Sequence, residues 1–164
     1  MAVKRTGDKL RFPPSAYLYV SCKREVMSIE YKINAPVSAD QFIGLLREST
    51  LGERRPIEDR ACMEGMVKNS NLMVTAWHDK ELIGIARSMT DFHYACYLSD
   101  LAVHTKYQRS GVGKKLQIKT QEQLGPNCKL ILVAAPAANL YYEHIGFTNN
   151  QRCWVLDRDK NISS

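Results

Sequence analysis

The apolar and polar positions divide the chain into short strands and helices. Residues 28–32 read as a short strand. Ser38 is a good helix N-cap, with Gln41 three residues on, and Phe42, Leu45 and Leu46 give one apolar face. Gly52 closes that helix region. A charged connector with Pro56 leads to a second helix over about 59–67, with Met63, Met66 and Val67 turned inward. Residues 72–77 and 81–89 form strands around the compact polar turn His78-Asp79-Lys80, which predicts a hairpin. Another strand, rich in Tyr, Leu and Val, runs over 94–103. From Gly111 the period changes: Val112, Leu116, Thr120 and Leu124 fall four apart on one helical stripe, which Gly125-Pro126 stops. Residues 129–133 are nearly all apolar, the mark of a strand buried on both faces. A short helix over 139–145 ends at Gly146, and 152–156 is the last predicted strand. Strands interleaved with helices predict a mixed α/β sheet with helices packed on it.

A chain of 164 residues, 45% of them apolar, suits one domain with one core. The longest apolar run, 130–138, is broken by Pro136 and is far shorter than a membrane span. The net charge of +6 is uneven: residues 1–26 carry +4, leaving +2 for the rest. Residues 1–26 therefore read as a basic extension outside a single domain spanning 27–164. It reads equally as a flexible arm, an added edge strand, an organelle-targeting leader or translated upstream sequence, with Met27 as the start. No patterned basic face or docking motif accompanies the charge, so nucleic-acid binding is not expected. The five cysteines contain no Cys-x-x-Cys pair and are odd in number, which points to a reducing, cytoplasmic setting. Organelle import through the extension is the alternative. The four histidines are not clustered with them, so no metal site is expected.

The most informative stretch is Gln108-Arg109-Ser110-Gly111-Val112-Gly113, between a strand and a helix. Glycine lets the backbone turn tightly and come close to a ligand. A helix start offers unpaired N–H groups and partial positive charge. Together they suit a pyrophosphate, with Arg109 and Lys114 as nearby cations. A Walker loop is excluded, because Lys115 stands where a hydroxyl is needed and Gln108 where a glycine is. The dinucleotide fingerprint lacks its third glycine and its downstream acid. The alternative for this turn is a glycine-rich helix start with surface cations.

Leu98-Ser99-Asp100-Leu101-Ala102-Val103 followed by this turn resembles the GNAT superfamily of acetyl-coenzyme A-dependent N-acetyltransferases. There a strand ending in Leu-Ala-Val precedes Q/R-x-x-G-x-G/A. A second stretch, Tyr141-Tyr142-Glu143-His144-Ile145-Gly146-Phe147, is similar to that superfamily's [FY]-Y-x-x-x-G-F. The resemblance covers about residues 28–158, with its motifs between 97 and 147. Residues 98–113 are also similar to the glucosamine-phosphate and arylalkylamine branches. The resemblance implies a central mixed, mostly antiparallel sheet with a splayed strand pair, flanked by helices. It implies acetyl-coenzyme A as co-substrate. The backbone amides of Arg109, Ser110, Gly111, Val112, Gly113 and Lys114 would hold the pyrophosphate, with Gln108 beside them. Leu101, Ala102 and Val103 would bond the pantetheine arm, in the gap beside strand 129–133. Many relatives place a coenzyme-contacting asparagine three residues before the first aromatic; Ala138 stands there, and Asn139, one residue late, is the candidate.

The reaction requires an amine to lose a proton, a carbonyl oxygen to gain charge and a thiolate to be protonated. A backbone N–H of the 101–103 strand would steady the oxyanion. Tyr142 matches the superfamily's general acid, and Tyr141 its packing aromatic. Some members place a carboxylate four residues before the Leu-Ala-Val triplet; here that residue is Tyr97. Asp100 is the only acid within the strand, and alternation puts it opposite Tyr97, Ser99, Leu101 and Val103. It either reaches the substrate as the base or pins a neighbouring loop. His93 and a water chain are the other candidates for the base, and both His93 and His104 read otherwise as loop surface. The apolar stretch 134–138 either lines a less polar acceptor pocket or packs. Acceptor specificity is expected from 51–66 and 92–94. The favoured reading is acetylation of a small-molecule amine by a monomer or homodimer without a membrane partner. The alternatives are a protein, peptide or aminoacyl-tRNA acetyltransferase and a non-catalytic acyl-coenzyme A-binding module.

Overall fold

Ser38 starts helix α1 (Ala39–Arg47) through a reciprocal cap. Its hydroxyl accepts the Gln41 N–H at 3.1 Å, and its own N–H donates to the Gln41 side chain at 2.9 Å. Phe42, Leu45 and Leu46 then fall on one buried stripe. Asp59 caps α2 (Arg60–Lys68) by accepting the Cys62 N–H at 3.0 Å. That helix buries Met63 fully, with Met66 and Val67 packed beside it. The structure, a computed structural model, describes residues 28–163. The basic extension 1–26 and the start at Met27 lie outside the described residues.

Among the described residues, five strands form one sheet in chain order: β1 (Glu30–Ile33), β2 (Leu72–His78), β3 (Glu81–Thr90), β4 (Ala95–Val103) and β5 (Lys129–Ile131). The first four are antiparallel, and β5 runs parallel to β4. The β2–β3 hairpin closes with Asp79 and Lys80 both at positive φ, 46° and 71°, the backbone a two-residue turn needs to match strand twist. The parallel step requires a crossover, which α3 (Val112–Gln121) supplies. α3 lies against one face of the sheet, with Val112 and Leu116 packed among Val74, Ala76, Ile83 and Leu98. It approaches so closely that a Cβ on Gly84 would sit 3.0 Å from the Leu116 side chain. α1 and α2 cover the other face, over Ile85 and Ala102. The final helix, α4 (Asn139–His144), follows a short 3-10 turn at Pro136–Ala138.

Two β-bulges decide which side chains meet. Trp77 pairs with Leu82 and Ala76 with Gly84, so Ile83 is an extra residue on β3. Ser88 pairs with Leu98 and Arg87 with Asp100, so Ser99 is an extra residue on β4. The second bulge turns the strand over. Leu98 packs on the α3 side, whereas Ala102, four residues on, packs on the α1–α2 side. Strict alternation therefore fails across Ser99. Asp100 stays opposite Leu101 and Val103 but falls on the same face as Tyr97.

Three elements differ from the reading of the sequence. β5 is an edge strand, with Ile131 45% exposed and Val133 beyond it 58% exposed, so it is not buried on both faces. Residues 152–156 form no strand, and Trp154 is 92% exposed. Leu124 lies past the end of α3 and still packs against its cluster. Apolar composition signals the wish to be buried, but not which surface is available.

Candidate functional site

β4 and β5 pair only at Ala95–Lys129, Cys96–Leu130 and Tyr97–Ile131. β4 then continues for six residues with no strand on that side among those described. His104 N–H donates to Ile83 O of β3 at 2.9 Å, so alternation aims the backbone of Leu101 and Val103 at the open edge. Val103 O confirms that direction by accepting the Gln108 side-chain amide there, at 3.0 Å. The edge thus has no strand partner among the described residues and borders a gap.

The turn after β4 delivers a second set of free donors. Arg109 and Gly111 both have positive φ, 59° and 87°, and Gly111 is the residue before α3. The first backbone bond of the helix runs from Lys115 N–H to Gly111 O at 3.0 Å. The N–H groups of Val112, Gly113 and Lys114 consequently have no backbone acceptor among the described residues. No side chain caps them either. A Cβ on Gly111 would meet nothing within 4 Å, so the space above this helix start is open. Ser110 and Val112 contribute only through their backbone. The Ser110 hydroxyl donates to Tyr107 O at 2.5 Å, and the Val112 side chain is in the core.

One cavity of about 540 Å³ joins these parts. Its floor is Leu101, Ala102 and Val103, and its cationic end holds Gln108, Arg109, Gly111, Gly113 and Lys114. Ser49, Thr50 and Leu51, in the loop after α1, form one wall, and Ala138, Tyr141 and Tyr142 the other. The loop is tied in place by three contacts. Thr105 N–H donates to Glu48 O at 3.0 Å. The Ser49 hydroxyl donates to Leu46 O at 3.1 Å and accepts the Leu51 N–H at 3.3 Å. Ser49 and Thr50 were not legible as site residues, because they follow a helix cap with no motif of their own.

Tyr142 is half-buried between Tyr141 and Phe147, with ring centroids 5.3 and 5.4 Å away. Burial pushes its phenol above the ordinary tyrosine range, and the neighbouring Tyr141 adds to the rise. It therefore keeps its proton at neutral pH. Tyr141, expected only to pack, also lines the cavity, and its hydroxyl accepts from the Gln117 amide at 3.3 Å. Asn139 is exposed at the start of α4 and does not line the cavity; Ala138 takes that place. The one-residue offset read in the sequence moves the asparagine around the turn and away from the gap.

The structure gives Asp100 the contacts of a pin. It is 1% exposed, and its two oxygens accept from the Arg55 and Arg87 guanidinium groups, each at 2.5 Å. Arg87 also donates to Met66 O, Ser70 and the Ser99 hydroxyl, and Arg55 to Ser99 O. A carboxylate held by two guanidinium groups on the α1–α2 side of the sheet does not line the cavity. His104 is 4% exposed, not loop surface; its Nδ1 accepts the Lys106 N–H at 3.1 Å. His93 is exposed, and neither histidine lines the cavity. The turn carrying His93 is held by the Asp91 carboxylate, which accepts the N–H groups of His93, Tyr94 and Ala95 at 2.8–3.0 Å. Those bonds lower its pKa to about 2.

The site can therefore hold an anion at the α3 start, hydrogen-bond an extended chain along β4 and offer a phenolic proton from α4. Among the described residues, no helix is long and apolar enough to cross a membrane, and no group of His, Cys, Asp and Glu is placed to hold a metal ion.

A family model described as an acetyltransferase (GNAT) domain matches residues 23–155. Among curated proteins, the chain is similar to an uncharacterized N-acetyltransferase, ycf52, of Gracilaria tenuistipitata var. liui. The two are 26% identical over 123 residues, which span 70% of this chain and 68% of that protein. Solved structures share the fold. A GNAT-family acetyltransferase of Streptococcus pneumoniae TIGR4 superposes with a TM-score of 0.65 at 18% identity, covering 80% of this chain and 99% of its own. A putative acetyltransferase of Deinococcus radiodurans R1 gives 0.65 at 20% identity, covering 80% and 90%. The aminoglycoside N-acetyltransferase AAC(6')-Iy, solved with CoA, gives 0.61 at 18% identity, covering 80% and 95%.

Proposed function

The chain belongs to the GNAT acetyltransferase family, and on that premise we propose that it moves an acetyl group from acetyl-coenzyme A to a primary amine of a small molecule. One observation carries the reading: the open helix start at Gly111 and the half-buried phenol of Tyr142 face the same cavity, at the end of a strand with a free edge.

The residues present fit the coenzyme. Its pyrophosphate is a dianion, and the free N–H groups of Val112, Gly113 and Lys114, the helix dipole and the Arg109 and Lys114 cations suit it. The pantetheine arm carries amides, which match the backbone of Leu101 and the Val103 N–H at the open edge. When bound, the coenzyme supplies an activated acetyl thioester. The chain's own residues do the remainder. A β4 N–H at the open edge stabilises oxyanion charge without reorganising. The cavity walls hold both reactants together. Tyr142 provides an O–H at neutral pH for a leaving thiolate.

Thiol release from acetyl-coenzyme A against a panel of small amines, amino sugars and peptides tests the reading. Turnover with a small amine is the expected result. Coenzyme binding by calorimetry with no turnover of any member would point to the non-catalytic module, and peptide-only turnover to the protein acetyltransferase.

A further inference from the structure

The turn that presents its amides before α3 is strained and has to be held in shape. Arg109 has a φ of 59°, in the left-handed region that a β-carbon disfavours. Glycine removes that cost at Gly111, but arginine does not at 109. The bonds that close the turn are local. The Gln108 N–H donates to Thr105 O, the Gln108 side-chain amide to Val103 O, and the Ser110 hydroxyl to Tyr107 O. They fix the turn to residues 103–107, so its placement depends on what fixes those.

Among the described residues, two hydrogen bonds tie residues 105–111 to distant parts of the chain. One is the backbone bond from Thr105 N–H to Glu48 O. The other comes from a side chain. The Tyr107 hydroxyl lies 3.0 Å from Nδ1 of His78, at the end of β2 and 29 positions away. Asp79 Oδ2 stands 3.7 Å from His78 Nε2, which favours the ring proton there and leaves Nδ1 to accept the phenolic O–H. The Tyr107 ring sits between two imidazoles, with centroids 5.6 Å from His78 and 5.7 Å from His104, the latter edge-on. His104 is 4% exposed, and the Lys106 N–H fixes its own ring. Neither Tyr107 nor His78 lines the coenzyme cavity, so any effect they have on it passes through the turn.

We infer that Tyr107 and His78 are positioning residues for the coenzyme: their bond holds the left-handed turn at Arg109 in the shape that aims the α3 amides at the pyrophosphate. Released from His78, the turn loses its side-chain tether to the sheet, and Arg109 is free to relax toward ordinary backbone angles. The inference rests on the acetyltransferase reading and deepens it, by extending the coenzyme site to the β2–β3 hairpin.

The test uses the full chain. Tyr107→Phe keeps the ring and removes only the hydroxyl, and His78→Phe keeps a ring and removes the acceptor. Calorimetry with coenzyme A should show affinity about tenfold weaker in each, the size of one lost hydrogen bond. The double variant should be no weaker than either single one, because both remove the same bond. Pantetheine, which lacks the pyrophosphate, is the control that general structural damage would move. NMR titration should give it the native affinity in every variant. With any amine that is turned over, KM for acetyl-coenzyme A should rise by the same factor while kcat holds. Native coenzyme A affinity in Y107F or H78F, an equal loss for pantetheine, or additive losses in the double variant would each overturn the inference. A chain that binds coenzyme A but acetylates no amine sinks the acetyltransferase reading, and the binding measurements still decide the role of Tyr107 and His78. A chain that binds no coenzyme A sinks both.

Discussion

Asp100 on β4 and Arg87 on β3 form a buried ion pair across the sheet, with the Arg87 guanidinium 5.9 Å from the Phe42 ring centroid. Arg55, from the loop beyond the cavity wall, closes the carboxylate's other side. The cluster ties three things together: the bulged segment of β4, the end of α2 through Met66 O and Ser70, and the connector from α1 to α2. Its position shows what the strand acid beside the gap is bonded to: two guanidinium groups and no atom of the cavity lining.

Breaking the pair should cost stability. Arg87→Met leaves a buried carboxylate with one partner, and a loss of about 3–5 kcal/mol is expected from urea unfolding. Arg55→Met should cost less, since a quarter of that side chain is exposed and solvent screens the charge. Asp100→Asn should lower the unfolding midpoint but leave the pH midpoint of kcat/KM unchanged. A lost pH dependence in folded D100N would restore Asp100 as the base.

Tyr142→Phe should lower kcat by about 10²–10⁴-fold with little change in coenzyme affinity. The ring and its contacts with Tyr141 and Phe147 are kept, and only the proton is removed. Spectroscopic titration should place the Tyr142 phenol above 10. Weaker coenzyme binding with full turnover would reassign this residue to binding.

Gly111→Asp should weaken coenzyme binding by about tenfold or more, or ~1.4 kcal/mol, measured calorimetrically. The added carboxylate repels phosphate at the helix start. The φ of 87° also strains any L side chain there, by about 1–2 kcal/mol. Gly111→Ala carries that strain without the charge, so it should weaken binding less. Neither substitution meets a neighbouring atom within 4 Å.

The Asp91 turn should loosen in acid. Its carboxyl falls from an ordinary 3.8 to about 2 because three N–H groups hold the charged form. A folded-state pKa below the unfolded one contributes stability that is present above pH 3.8 and is lost as the pH falls through about 2. NMR titration of the Asp91 carboxyl should show that low midpoint. Asp91→Ala should abolish the acid-dependent loosening of residues 91–95.

What was readable in the chain was what depends on near neighbours. The Ser38–Gln41 cap, the Phe42, Leu45 and Leu46 stripe, the hairpin at Asp79 and Lys80, and the glycine at the head of α3 all rest on contacts within a few residues. The order of the two motifs, Leu101–Gly113 and then Tyr141–Phe147, is likewise a property of the chain alone and carries the resemblance to the acetyltransferase family. Elsewhere local pattern misled. An apolar 129–133 reads as doubly covered, yet covering needs neighbours that periodicity does not supply. The segment 152–156 has strand composition but pairs with neither edge of the sheet.

The sequence by itself determined the capped start of α1, the β2–β3 hairpin, which residues want to be buried and which turn can receive an anion, because propensity, capping and periodicity act over one or two turns of chain. Only the tertiary structure decided which face Asp100 occupies, that Arg55 reaches it across 45 positions, that Ser49 and Thr50 wall the cavity, and that Ala138 replaces Asn139 there. The physical reason is register. A single extra residue at Ser99 reverses the faces of β4, and contacts between distant segments depend on that reversal rather than on any local preference.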